Sequence, residues 1–349
     1  MGWQAGTIDW IALGLLLIAT PAFGSQAARR DCKEGTDVRI LVAGASGALG
    51  RFLIPRLLAG GHQVVGTSRS EHKAELIRRA GAEAVVADGL DLDSVRRAVR
   101  TAKPDVIVHQ MTSIEGAADL RHFERTFAVT NRLRTSGTDH LISAGMEAGV
   151  RRFVAQSYCG WPYARIGGPV KTEEDALDPK PPKQLRRALE AIRHVESAVT
   201  QAPVSGIVLR YGAFYGAGTG VLDRAFLEQL VQGRVPLIGD GGAWWSFIHV
   251  DDAAAATVAA IERGRSGSIY NIVDDEPAQV RTWLPGLAMM LGAKKPRSVP
   301  AWVIRLIGGE HLVVMMTQAR AGSNAKAKRE LGWQPARANW QQGFAEVVG

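Results

Sequence analysis

Cysteine is nearly absent: Cys32 and Cys159 are the only two in 349 residues. That is too few for a disulfide framework, and their separation lacks the paired spacing of a structural zinc site, so no metal is expected. Internal repeats, low-complexity tracts and blocks of like charge are also missing, which argues against solenoids, disordered tails and a basic nucleic-acid arm. Apolar runs long enough to span a bilayer are lacking too. In "WIALGLLLIATPAFGSQAARR" the stretch Trp10 to Ala19 is short for a transmembrane helix. Ala22 and Gly24 follow it with the spacing of a signal-peptidase site, but no Lys or Arg precedes it, and Arg29 and Arg30 come after, the reverse of an ordinary export signal. Residues 1–35 are therefore expected to be a signal-like segment, an anchor or a non-structural extension, and membrane contact is confined to residues 1–25. A cytoplasmic location is expected, with anchoring or export as the alternative.

What is present is a chain able to bury a large core. Its 46% hydrophobic content suits one or two globular domains. The formal charge of +8 discriminates poorly among anionic partners, and a phosphate-bearing cofactor is the economical reading, with no nucleic acid. "ILVAGASGALGRFLIPRLLAGG", residues 40 to 61, supplies a place for it. Branched apolar residues read as a strand buried on both faces, and apolar positions from Phe52 onward recur at helical spacing. Between them Gly44, Ser46, Gly47, Ala48, Leu49 and Gly50 form a strand–turn–helix junction whose backbone N–H groups and helix dipole face an anion, such as a dinucleotide pyrophosphate. About 20 residues on, where a ribose-reading acid would sit for NAD, the second strand "HQVVGTSRS" ends in Thr67, Ser68 and Arg69. An arginine with hydroxyls suits the 2′-phosphate of NADP, which is the expected cofactor, with NAD less favoured.

Strand and helix then alternate, which predicts an α/β fold of the Rossmann type, a doubly wound parallel sheet. "AEAVVADGLD", "DVIVHQMT", "RRFVAQSYCG" and "SGIVLRYGAFYG" read as the third to sixth strands, and Lys183 to Thr200 as a helix. Ligands bind such sheets beyond the carboxyl ends of the strands. Asp88, Gly89, His109, Gln110 and Ser157 stand there. In "FIHVDDAAAATVAAIERG", Asp251 or Asp252 is the expected cap of an alanine-rich helix.

With these blocks in hand, the chain resembles the extended and atypical branch of the short-chain dehydrogenase/reductases, the NAD-dependent epimerase/dehydratase family. The glycine spacing, "VTNRLRTSGTDHLISAG", "GDGGAWWSFIHVDDAAAA", "YNIVDDEPAQV" and "SNAKAKRELGWQP" occur in the family's order over roughly residues 38 to 345. The resemblance implies that Asp88 faces the adenine, that "VHQMT" lines the nicotinamide side and that Asn131 belongs to the cofactor site. It also implies a dinucleotide-binding domain of residues 36–212, rejoined by 246–275, and a smaller carboxyl-terminal substrate lobe of 213–245 and 276–349.

One departure bears on chemistry. The family pairs a tyrosine with a lysine four residues on, so that the ammonium tunes the phenol. Here the residues four after Tyr158, Tyr163, Tyr211, Tyr215 and Tyr270 are Pro162, Gly167, Tyr215, Thr219 and Asp274. Aligned on Glu196, the family's pair falls at Ala188 and Ile192. Ser157 is the expected holder of the reacting oxygen, and Tyr163 the expected source of a phenol; Tyr158, next to Ser157, should point the other way in an extended strand. The expected function is an NADP-binding oxidoreductase acting on a small or sugar-like carbonyl or alcohol. The alternatives are a non-catalytic dinucleotide-binding module and a nucleotide-sugar epimerase or dehydratase. Oligomeric state is left open.

Overall fold

The computed structural model describes residues 38–114, 120–216 and 219–348. The expectations for residues 1–35 lie outside the described residues. Strands β1 (Arg39–Ala43), β2 (Gln63–Ser68), β3 (Glu83–Val86), β4 (Val106–His109) and β5 (Arg152–Tyr158) alternate with helices α1 (Gly50–Ala59), α2 (Glu71–Arg79), α3 (Leu92–Ala102), α4 (Phe123–Arg132) and α5 (Thr138–Glu147). After a short β6 (Val170–Lys171), α6 (Arg186–Thr200) leads to β7 (Ser205–Tyr211). The chain then makes β8 (Ala213–Tyr215), α7 (Arg224–Val231), β9 (Leu237–Ile238), β10 (Trp244–Trp245) and β11 (Phe247–His249) before α8 (Val250–Arg263) returns it to β12 (Ser268–Ile272).

Seven of these strands form the expected sheet, in the order β12-β7-β5-β4-β1-β2-β3 with every neighbouring pair parallel. The apolar run of β1 explains its central place. Ile40 and Val42 enter one core cluster, with α1 and α8, while Leu41 and Ala43 enter another, with α3 and α5. Alternate residues of a strand point to opposite faces, so a strand apolar at every position needs helices on both sides. Strand order reverses between β1 and β4, and a crevice opens there beyond their carboxyl ends. A further cluster, which includes Trp161, Phe247, Trp283, Met315, Trp340 and Phe344, is gathered from later segments around one end of α6.

Two local expectations need correction. The sixth predicted strand is broken at Gly212 into β7 and β8, and β8 leaves the main sheet to pair with β11. A Cβ at Gly212 would stand 2.8 Å from the Ser246 carbonyl oxygen, so the close crossing of the two segments needs glycine. The cap of α8 is His249, whose Nδ1 accepts from the Asp251 N–H at 3.2 Å; Asp251 and Asp252 lie in the first turn instead. Burial lowers the pKa of His249, which keeps that nitrogen an acceptor. Among the described residues no helix is long and apolar enough to cross a membrane.

Candidate active site

A cleft of about 800 Å³ runs along the carboxyl ends of the strands. One end is built by the glycine turn. Gly44 has φ 89°, and a Cβ there would stand 2.8 Å from the Gln110 backbone; a Cβ on Gly50 would stand 2.0 Å from the Ala45 carbonyl oxygen. These two glycines let β1, β4 and α1 meet. Gly47 differs, because a Cβ there would approach only the Gly44 carbonyl oxygen, at 3.2 Å, and Gly47 lines the cleft. Helix α1 begins with no side-chain cap, and although the Arg51 and Phe52 N–H groups donate to the Gly47 and Leu49 carbonyls, at 3.3 and 3.0 Å, the positive end of the helix dipole still faces the cradle. The cradle therefore fits a pyrophosphate, with Ser46, Ala48, Leu49 and Gly50 beside it in the wall.

At the end of β2, Ser46 donates from Oγ to Ser68 Oγ at 3.4 Å, and Arg69, Ser70 and Lys73 continue the lining. Arg69 is exposed. Gly89 and Ala87 also face the cleft, but Asp88 does not line it. Its carboxylate accepts from the Leu90 N–H at 2.9 Å, closing its own turn. His109 stands behind the wall as well. It is 1% exposed, its Nδ1 accepts from the Met111 N–H at 3.2 Å and its Nε2 lies 3.2 Å from the Leu133 carbonyl. Burial pushes its pKa down to about 4, so the ring is neutral and Nε2 is the donor. Gln110 and Met111 form the wall in its place, and Gln110 donates to the Tyr211 hydroxyl at 3.3 Å. Asn131 does not line the cleft either, and its buried Oδ1 has no hydrogen-bond partner among the described residues.

Beyond the end of β5 the polar residues form a chain. Ser157 lines the cleft and donates from its hydroxyl to Glu196 Oε1 at 2.7 Å. Arg210 clasps the same carboxylate through Nε and Nη2, both at 2.7 Å. Its Nη1 donates to the Tyr163 hydroxyl at 3.0 Å, and Tyr163 in turn donates to Asn271 Oδ1 at 2.7 Å. Tyr163 is fully buried in that network, outside the cleft lining, and burial pushes its pKa up. The expectation that its phenol serves the pocket is thereby corrected. Tyr158, not Tyr163, is in the cleft lining. The period-2 argument does not exclude it, because the cleft opens beyond the carboxyl end of β5 and its last three residues, Gln156, Ser157 and Tyr158, all line it. Tyr158 lines the cleft; burial raises its pKa, and the nearby Arg134 charge opposes that rise.

Arg134 itself, with Glu196 and Arg210, escaped sequence reasoning as a site residue. It sits in a π-helical turn, Leu133–Gly137, between α4 and α5, is 7% exposed and lines the cleft. The rest of the wall is apolar. Phe123 stacks on Phe127 at 4.2 Å between centroids and meets Trp161 edge-on at 5.9 Å, and Trp245 lies 5.3 Å from Trp283. Ile192 of α6 also lines the cleft.

The sequence matches the NAD dependent epimerase/dehydratase family over residues 40–273. It is 40% identical to a 3-diazoavenalumate denitrifying reductase from a Streptomyces species over 313 residues, 88% of this chain and 99% of the relative. It is 27% identical to 4-hydroxy-2-methyl-3-oxo-4-farnesyl-3,4-dihydroquinoline-1-oxide ketoreductase of Stigmatella aurantiaca, covering 88% of this chain and 95% of that protein. Among solved structures, a UDP-glucose 4-epimerase of Thermotoga maritima with UDP-glucose superimposes with a TM-score of 0.71, at 22% identity, covering 88% of this chain and 97% of that one.

Proposed function

The chain belongs to the NAD-dependent epimerase/dehydratase family, and from that premise we propose that it is an NADP-dependent reductase of an apolar, ring-bearing carbonyl compound or a comparable electrophile. The observation that carries this reading is the composition of the cleft, in which a glycine cradle at one end faces Phe123, Phe127, Trp161, Trp245 and Trp283 at the other. An indole and benzene wall rewards an apolar ring and offers few partners to the hydroxyls of a sugar. The reductase names of the two relatives, and the ketoreductase name in particular, support the same reading. The Gly44–Gly50 turn would hold the pyrophosphate and Arg69 the 2′-phosphate. When bound, the reduced nicotinamide supplies a hydride equivalent.

The protein's part is orientation and the proton. Ser157 is placed to hold the substrate oxygen. To donate to it, the hydroxyl must release Glu196, and the cost is small because both carboxylate oxygens keep their bonds to Arg210. Tyr158, rather than Tyr163, lines the cleft and is the proton donor in this reading; Tyr211 lines it too, but its hydroxyl is held by Thr257 and Gln110.

The test is a turnover screen of aryl and alkyl ketones with NADPH, followed by absorbance, together with nucleotide binding by calorimetry. Ser157→Ala is expected to slow turnover by roughly tenfold to a thousandfold, the loss for one positioned donor, with nucleotide affinity unchanged. Tyr158→Phe should slow it comparably and Tyr163→Phe should act through stability alone. Tight nucleotide binding without turnover of any ketone would return the protein to the class of binding modules.

A further inference from the structure

Among the described residues, Arg134 is a buried cation with no counter-ion. Its Nε has no hydrogen-bond partner there, and burial brings its pKa down to about 10. Glu196, the carboxylate whose charge it feels, is already bound by Ser157 at Oε1 and by Arg210 at both oxygens. The other neighbours are Tyr158, a neutral phenol, and His109, a neutral imidazole. Taking a guanidinium out of water with no protein carboxylate to balance it costs stability, and because this one lines the cleft a ligand can supply the missing partner. The π-helical turn that carries Arg134 is of a kind often found at functional sites.

The neighbours of Arg134 say which half of the cleft that partner enters. Arg134 lies beside Tyr158, whose ring is 6.4 Å from Trp161, and Trp161 is 5.9 Å from Phe123. This is the aromatic end of the cleft, whereas phosphates belong to the β1–α1 turn. We propose that Arg134 is the receptor for a carboxylate on the substrate, which makes the substrate class an apolar ring bearing an acid group. A guanidinium fork matches a carboxylate in a two-point geometry, and the indole and phenyl side chains take the ring. The proposal rests on the aromatic end of the cleft being the substrate's place, as argued for the reductase, but it concerns equilibrium binding and needs no turnover.

Cinnamate and cinnamamide, of nearly equal shape and different charge, are suitable probes. Each is titrated by calorimetry into the full chain saturated with NADP⁺. Cinnamate is expected to bind at least tenfold more tightly than cinnamamide. Arg134→Gln should bring the ratio close to one with NADP⁺ affinity retained, and Arg134→Lys should keep part of the preference. Arg134→Met, which removes the unpaired charge, should raise the melting temperature; a merely structural arginine would lower it. Equal affinity for the two probes, failure of both to bind at millimolar concentration, or an unchanged ratio in Arg134→Gln would each overturn the proposal. Loss of NADP⁺ binding in Arg134→Gln would also overturn it, by giving the guanidinium to the nucleotide. Turnover of ketones with no carboxylate preference would leave the reductase standing and sink the acid receptor alone.

Discussion

Arg210 and Arg134 are buried to a similar degree, 4% and 7% exposed, and both feel the charge of Glu196, yet only Arg210 is paired with it. Burial alone would lower the pKa of Arg210, but the two hydrogen bonds and the charge of Glu196 outweigh it and push the pKa up. For Arg134, burial wins and the pKa falls. The difference separates two uses of the same side chain. Arg210, on β7, clamps α6 to the sheet behind Ser157 and fixes the floor of the cleft. Arg134, on a helical irregularity in the wall, leaves its charge for something the fold does not contain. A buried ion pair organises a site, whereas a buried lone ion keeps a charge for a ligand to balance.

Breaking the pair is the largest test of that contrast. Glu196→Gln removes the counter-charge of Arg210 and leaves one amide oxygen where two carboxylate oxygens had served Arg210 and Ser157. Removing one partner of such a pair costs about 3–5 kcal/mol. The variant should therefore show a urea midpoint far below that of the wild type at an unchanged slope, whereas Arg210→Met with Glu196→Gln together should recover part of the loss. A midpoint within error of the wild type for Glu196→Gln would mean that the clamp holds nothing.

The acids repeat the contrast. Asp274 is 3% exposed and lies beside the like charge of Asp252, and burial, aided by that charge, pushes its pKa up to about 8. In the unfolded chain an aspartate titrates near about 3.9. The folded state thus holds the proton more tightly, and its advantage, complete below that value, is lost as pH rises toward 8. Asp274→Asn should therefore be more stable than the wild type at pH 8, with little difference at pH 4. Denaturant titrations at the two pH values check it. A gap of the same size at both would show that the carboxyl is not the titrating group.

These contrasts explain what was legible in the chain before its fold. The Gly44–Gly50 turn and the end of β2 are contiguous, so glycine spacing and the missing acid could be read directly, and the sheet followed from strands apolar at every position. The far end of the cleft was not legible in that way. Arg134, Glu196 and Arg210 come from three separate elements, and only the parallel order β4-β5-β7 with α6 across it brings them together. Tyr158 and Tyr163 were exchanged because the cleft opens beyond the carboxyl end of β5 and takes in Gln156, Ser157 and Tyr158 alike, so alternation along the strand does not decide which of them reaches it. Asp88 and His109 stood at the correct strand ends, but each spends its polar atoms on nearby backbone, a detail set by turn geometry that residue type does not encode.

Arg69 sharpens the comparison from the opposite side and has the smallest expected effect. It lines the cleft like Arg134, but it is exposed, so water solvates its charge and leaving it without a protein partner costs the fold almost nothing. Arg69→Ala should accordingly leave the melting temperature unchanged, where Arg134→Met raises it and Glu196→Gln lowers it. Its consequence belongs to the nucleotide. A surface guanidinium that meets a 2′-phosphate contributes a charge-assisted bond, so NADP⁺ should bind more weakly by about 1–2 kcal/mol and NAD⁺ hardly at all. Calorimetric titration of both nucleotides into both proteins gives the four affinities needed. An equal loss for the two would place Arg69 on the pyrophosphate that they share, and no loss for either would leave it a solvated charge at the rim, with Ser68, Ser70 and Lys73 as the remaining groups to read the ribose.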